Sequence, residues 1–146
     1  MPKKRGKMNM NNPDCIFCKI VKGTIPSYKI YEDKDTIAFL DINPATRGHC
    51  LVVPKNHAAN LTEADEKMMA SAYTAVKKVG DLLIEKLQPD GMNVLQNNGA
   101  AAGQVIPHLH VHLVPRYLDD GIKMPLPMKK AEEEALKELQ GLLTGQ

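Results

Sequence analysis

His108-Leu109-His110-Val111-His112-Leu113-Val114 is the stretch whose reading decides the fold. Histidine alternates with an aliphatic residue, and in an extended strand successive side chains point to opposite faces. The three imidazoles therefore share one face, and Leu109, Val111 and Leu113 share the other. The pattern predicts a strand over His108–Val114 that packs its aliphatic face on a helix. The histidine face is expected to lie outside the core, because three buried imidazoles would each need a hydrogen-bond partner. Two chemistries use such a face: imidazoles sharing a metal ion, or imidazoles acting as nucleophile and donors toward a phosphate. The loop just upstream, Asn97 to Gln104 (NNGAAAGQ), carries glycines that let backbone N–H groups approach an anion, which favours phosphate.

Working outward, Met92–Gln96 reads as a strand, and Pro89-Asp90-Gly91 ends a long helix before it. Met68, Met69, Ala72, Val76, Val79, Leu83 and Leu87 recur at helical spacing and define that helix's buried face. Thr62 is the expected N-cap, with Asp65 three residues on and Glu63 and Glu66 in the first turn. Further upstream, Tyr28–Tyr31, Thr36–Asp41 and His49–Val53 read as strands, the first two joined by a charged turn. Cys15–Val21 suggests a short helix stopped by Gly23 and Pro26, and Lys129–Leu143 a second amphipathic helix. Strands, helix, strands with no repeat argue an α+β fold: an antiparallel sheet of about five strands with one long helix packed on it and a C-terminal helix. Residues 1–13 read as a flexible basic leader and 14–146 as a single domain.

Composition narrows the function classes. A length of 146 residues with 43% hydrophobic and 25% charged residues suits a globular domain that needs no disulfides. The net charge is only +2, and four of the nineteen basic residues are Lys3, Lys4, Arg5 and Lys7. The remaining body is slightly acidic, which speaks against a nucleic-acid-tracking surface. No apolar run reaches membrane-spanning length, and the polar Met8–Asp14 stretch after the basic start does not suit a signal peptide. The expected location is cytoplasmic, with cysteines reduced. Cys15 and Cys18 form a CxxC, which in that setting points to metal or redox chemistry, whereas Cys50 inside an apolar strand reads as core. Taken alone, Asp41 reads as a turn initiator, Phe17 and Phe39 as core, and Arg116 as a strand end or a phosphate contact.

The chain resembles the histidine triad family. HLHVHLV fits its His-φ-His-φ-His-φ-φ signature, with φ apolar. CIFCKI, Ile25-Pro26-Ser27, AFLDINP (38–44), GHCLVVPKNH (48–57) and NNGAAAGQ are similar to family segments in family order. The resemblance runs from about Asp14 to Arg116 and is nearest to the Hint-like branch with a CxxC N-terminus. It implies a purine-nucleotide hydrolase acting at the α-phosphate, with His110 as the nucleophile that takes the nucleotidyl group. His112 would hold phosphate oxygens and His49 would orient the nucleophile. Asp41 would accept from the ribose, and Phe17, Ile20, Phe39 and Ile42 would form the base cleft. Asn97, Gly103, Gln104 and Val105 would line the phosphate. It further implies a structural zinc on Cys15, Cys18, His57 and His108, and a homodimer joining two sheets. Nucleoside phosphoramidates (AMP conjugates) are the expected substrates. Dinucleoside polyphosphate hydrolysis, or a zinc-stabilised nucleotide-binding or scaffold role with little turnover, are the alternatives. One departure stands out: the family commonly has Ser or Thr three residues before the first histidine, and this chain has Val105.

Overall fold

A computed structural model of the protein describes residues 12–123 and 126–145. The elements run α1 (Ile16–Val21), β1 (Lys29–Glu32), β2 (Thr36–Leu40), β3 (Cys50–Pro54), α2 (Glu66–Leu87), β4 (Gly91–Leu95), a 3-10 turn at Ala100–Ala102, β5 (Val111–Arg116) and α3 (Glu133–Thr144). The five strands form one antiparallel sheet in the order β1-β2-β3-β5-β4. The expected α+β architecture is what the chain adopts. The basic cluster at Lys3–Lys7 lies outside the described residues.

Strand alternation builds two layers. Ala38, Cys50, Val52, Val111 and Leu113 face α2 and meet Ala75, Val76, Val79 and Leu83 in the main core. Their neighbours Ile37, Phe39, Leu51 and Val53 point the other way and pack with Cys15, Phe17 and Cys18 of the α1 segment. Registers align Phe39 with Leu51 and Leu51 with His112 across β2, β3 and β5. The α1 side of the sheet is thus where the histidine face emerges. Helix α3 buries none of its residues within the chain, and Leu136, Leu139, Leu142 and Leu143 are exposed.

Three expectations need correction. The strand does not begin at His108: β5 starts at Val111, because Leu109 N–H donates to the Ala58 carbonyl (2.7 Å) and His108 N–H to Ile106 (2.9 Å) instead of joining the ladder. The first two triad histidines therefore sit on an extended lead-in. Nor is the histidine face outside the core, since His108 is wholly buried and His110 and His49 nearly so; each has a polar partner, which meets the cost of burial. Finally, the long helix is capped by Asp65, whose carboxylate accepts from Met68 N–H at 2.8 Å. Thr62 belongs to the preceding turn and bonds Asn60.

Gly48 fixes how β3 enters the sheet. Its φ is +92°, and a Cβ there would run into Leu87 of α2. The close approach of this turn to the helix end sets the direction in which the next residue, His49, points.

Asp65→Ala should cost about 1 kcal/mol, the usual worth of an N-cap, and lower the melting temperature by roughly 2–4 °C. Thr62→Ala should stay within about 0.5 kcal/mol. Thermal unfolding of the two variants beside the parent checks the assignment; equal losses would contradict it.

Candidate active site

A cleft of about 500 Å³ opens on the α1 side of the sheet. Its walls are mostly apolar: Phe17 and Ile20 come from α1, Phe39 and Leu51 from β2 and β3, and Ile42 from the turn after β2. Asp41, His110 and His112 project into it, with Gly103 and Val105 at the loop side. Among the described residues no Lys or Arg lines it.

Hydrogen bonds that begin at backbone groups fix the proton on His110, His49 and His112. His110 Nδ1 lies 2.6 Å from the His108 carbonyl, which can only accept, so Nδ1 carries the hydrogen and Nε2 is left with its lone pair. His49 is held the opposite way: Ala45 N–H donates to its Nδ1 at 2.9 Å, so its hydrogen sits on Nε2. That Nε2–H reaches His112 Nδ1 at 3.0 Å, and His112 must then carry its own hydrogen on Nε2. The result is a bare nitrogen on His110 next to an N–H on His112, with the two rings 5.0 Å apart. Such a pair can attack one atom while hydrogen-bonding a neighbouring oxygen. Phe17 packs edge-on against His110, ring centres 5.1 Å apart, and backs the ring from behind.

Burial keeps these rings neutral. Desolvation pushes His110 and His49 below the ordinary imidazole value of 6.5. It takes His112 down to about 4, with the neighbouring His110 and His49 acting in the same direction. Asp41 has two duties. One carboxylate oxygen accepts from Asn43 N–H at 2.8 Å and makes the turn read from the sequence; the other lies 3.6 Å from His49 Nε2. Asp41, His49 and His112 could in principle converge on a cation. The proton inventory opposes it, because Ala45 N–H commits the His49 hydrogen to the very nitrogen a metal would need.

The opposite holds for a second cluster. Cys15, Cys18, His57 and His108 bring four donor atoms within 4.8 Å of one another. His108 gives its Nε2–H to the Pro54 carbonyl (2.8 Å) and turns a bare Nδ1 toward Cys15 Sγ (3.3 Å), Cys18 Sγ (3.6 Å) and His57 Nδ1 (3.1 Å). His57 Nδ1 is 3.4 Å from Cys18 Sγ. A tetrahedral ion with bonds of about 2.0–2.3 Å needs donor separations of roughly 3.3–3.8 Å, so these residues fit one closely. Backbone N–H groups of Cys18 and Asn12 donate to the two sulfurs, as suits thiolate ligands. Cys50 is far from this chemistry; it faces α2 in the core, where burial pushes its thiol up to about 12.

The structure brings Phe17, Ile20, Phe39, Asp41, Ile42, Gly103, Val105, His110 and His112 to one cleft. Asn97 and Gln104 are not among its lining. The Gln104 side chain instead accepts from Gly99 N–H and donates to the Ala59 and Ile106 carbonyls, so it braces the loop. His49 meets His112 rather than the nucleophile it was expected to orient. Arg116 is held by Asp120, Asn93 and the Ile122 carbonyl, which makes it a brace at the far end of β5. Sequence reasoning missed Leu51, which reaches the cleft only through its register with Phe39 and His112. It also missed the Ala45 amide and the Pro54 carbonyl, because backbone groups carry no residue-type signal. Val105, 89% exposed at the mouth, offers no hydroxyl to the site.

Protonating His49 or His112 would destroy the donor chain, since each lone pair is already spoken for. With both held below 6.5, activity should persist as pH falls to about that value and be lost between there and about 4. Folding follows the same sign: unfolded histidines take up protons first as pH drops below 6.5, so stability also declines through that window. A pH profile of kcat/KM tests this, and an acid limb centred above 6.5 would contradict it.

Comparison with known proteins places the chain. The HIT domain matches residues 22–119. The chain is 46% identical over 104 residues to Protein hit of Bacillus subtilis, covering 71% of this chain and 72% of the relative. It is 42% identical over 126 residues to the adenosine 5'-monophosphoramidase hnt1 of Schizosaccharomyces pombe, covering 86% and 92%. Among solved structures, SMU.412c from Streptococcus mutans superposes with a TM-score of 0.91 at 40% identity, covering 95% of this chain and 88% of that one. A Zn-bound histidine triad family protein from Mycobacterium smegmatis superposes with a TM-score of 0.71 at 37% identity, covering 90% and 94%.

Proposed function

The chain belongs to the HIT domain family, and from that premise we propose that it hydrolyses nucleoside phosphoramidates of the AMP type through a covalent nucleotidyl-His110 intermediate. The observation that carries the proposal is the pair of fixed tautomers: a bare His110 Nε2 beside a His112 Nε2–H. His110 attacks the α-phosphorus, a nitrogen–phosphorus bond forms, and the bond to the leaving amine breaks as that amine takes up a proton from solvent at the open mouth of the cleft. Water then attacks the same phosphorus, the bond to His110 breaks to give AMP and the neutral imidazole, and the water's proton returns to solvent. The His112 N–H holds a non-bridging oxygen throughout. Phe17, Ile20, Phe39 and Ile42 sandwich the base, and Asp41 accepts from the ribose hydroxyls.

The substrate class follows from charge. A cleft whose described lining holds neutral imidazoles, one carboxylate and no Lys or Arg suits an α-phosphate bearing a single negative charge. A dinucleoside polyphosphate brings several charges, and among the described lining residues no cation meets them, so that reading is second. A binding role with little turnover would need a reason for so specific a proton arrangement, and Val105 alone does not supply one.

We further propose zinc as the resident ion of the Cys15–Cys18–His57–His108 cluster. A Cys₂His₂ donor set with tetrahedral spacing supports it, as does the zinc in the related Mycobacterium smegmatis structure. We also propose a homodimer formed along β4. That strand lies at the sheet edge, and Val94 and Leu95 on it are 46% and 41% exposed. Among the described residues no helix is long and apolar enough to cross a membrane, and the cytoplasm is the proposed location.

Incubation with an adenosine phosphoramidate should release AMP, and His110→Ala should abolish release and the covalent adduct seen by intact mass, with at least a 10³-fold loss expected for a missing nucleophile. Release that survives His110→Ala would overturn the mechanism. Val94→Asp should halve the mass in solution measured by light scattering; an unchanged mass would remove β4 as the interface.

A further inference from the structure

Beyond a structural role for its ion, we propose that the Cys15–Cys18–His57–His108 cluster is a positioning element for the nucleophile, and that the loaded cluster holds both His110 and the α1 wall of the cleft in working geometry. The proposal rests on the hydrolase reading given above.

Two connections carry it. The first runs through His108, which serves both sites with different atoms. Its ring belongs to the cluster, Nδ1 toward the sulfurs and Nε2–H on the Pro54 carbonyl. Its backbone carbonyl is the acceptor, at 2.6 Å, that keeps the hydrogen of His110 on Nδ1. His108 and His110 lie outside the sheet ladder, and the peptide bearing that carbonyl is held by Leu109 N–H on the Ala58 carbonyl at 2.7 Å, beside the cluster residue His57. The cluster therefore grips this peptide from two sides, through the His108 ring and through the His57–Ala58 segment, and steadies the oxygen that sets the nucleophile's tautomer.

The second connection runs through α1. A helix of six residues cannot hold itself together. Cys15 caps it, and its only buried side chains are Phe17 and Cys18. Two of the four cluster donors therefore lie at the start of this helix. Phe17, between them in sequence, stands edge-on to His108 at 5.8 Å and to His110 at 5.1 Å while forming part of the cleft wall. Once loaded, the cluster cross-links α1 to the His57 loop and to the triad lead-in. With the cluster opened, what remains to hold α1 is the packing of Phe17 and its neighbours. The His108 carbonyl then keeps only the Leu109 and Pro54 hydrogen bonds to steady it, Phe17 loses its anchor beside the nucleophile, and one wall of the base cleft loses its support.

The test reads the nucleophile directly. His57→Ala removes a ligand that is only half-buried and lies outside the cleft lining. His57→Cys restores four ligands as Cys₃His, also a zinc donor set. Zinc content, AMP affinity by calorimetry, kcat and the nitrogen NMR signals of the His110 ring are measured on each. The His110 signals are identified by their absence from His110→Ala. Expected for His57→Ala are lost zinc, a His110 ring averaging between tautomers, weaker AMP binding and a kcat lowered about 10- to 100-fold. His57→Cys should recover all four. A folded, zinc-free His57→Ala with an unchanged His110 signal and kcat would overturn the proposal, as would a His57→Cys that regains zinc but not the signal. Should His57→Ala fail to fold, the wild type stripped with a chelator and checked by circular dichroism replaces it. Unfolding there too would overturn the proposal in favour of a purely structural site. The NMR and AMP readouts need no turnover, so a chain that never hydrolysed the phosphoramidate would refute the hydrolase reading without obscuring this result.

Discussion

The hydrogen bond from His110 Nδ1 to the His108 carbonyl, 2.6 Å long, is the constraint on which the chemistry of this site depends. An isolated neutral imidazole exchanges its hydrogen between two nitrogens and presents either one to a ligand. A carbonyl two residues back removes the choice. His112, and His49 behind it, are tied down in the same way, by the Ala45 amide at one end of the chain His49–His112. Three rings that would be interchangeable in solution thereby take separate roles without any difference in residue type.

Burial makes those roles available at neutral pH. The rings sit between a sheet and a short helix, and desolvation holds each below the ordinary imidazole value. A charged triad would have no free nitrogen to attack with and no lone pair through which His49 could instruct His112. Three buried imidazoles would be costly if left unpartnered, and the acceptors and donors that satisfy them are the same groups that set their tautomers. Satisfying the core and preparing the chemistry are here a single requirement.

The two histidine clusters look alike in composition and differ in their hydrogen bookkeeping. At His108 an oxygen takes the hydrogen and leaves the bare nitrogen facing two sulfurs, which suits a metal. At His49 an amide takes the lone pair and leaves the hydrogen facing the cleft, which suits a relay. Residue type alone would have allowed an ion at both.

Much of the fold was legible in the sequence because it rests on periodicity. The strict alternation around His110 placed Val111 and Leu113 against α2, and the helical spacing from Met68 to Leu83 named that helix's buried face. The motif segments, ordered as in the histidine triad family, pointed to the cleft residues Phe17, Phe39, Asp41 and Ile42. What the sequence could not decide concerns groups that have no letter of their own. The carbonyl facing His110 lies two residues back and the amide facing His49 four residues back, but only the folded path of the backbone turns them onto the rings; where the ladder begins and which nitrogen of His108 carries its hydrogen depend on Ala58 and Pro54, more than fifty residues away in sequence. Asp65 displaced Thr62 as the cap because only one of two suitable side chains reached a free N–H. Leu51 entered the cleft through register alone. Local pattern fixes which face of an element a side chain occupies; the folded path of the backbone, near and distant, brings the partners that decide where each proton sits.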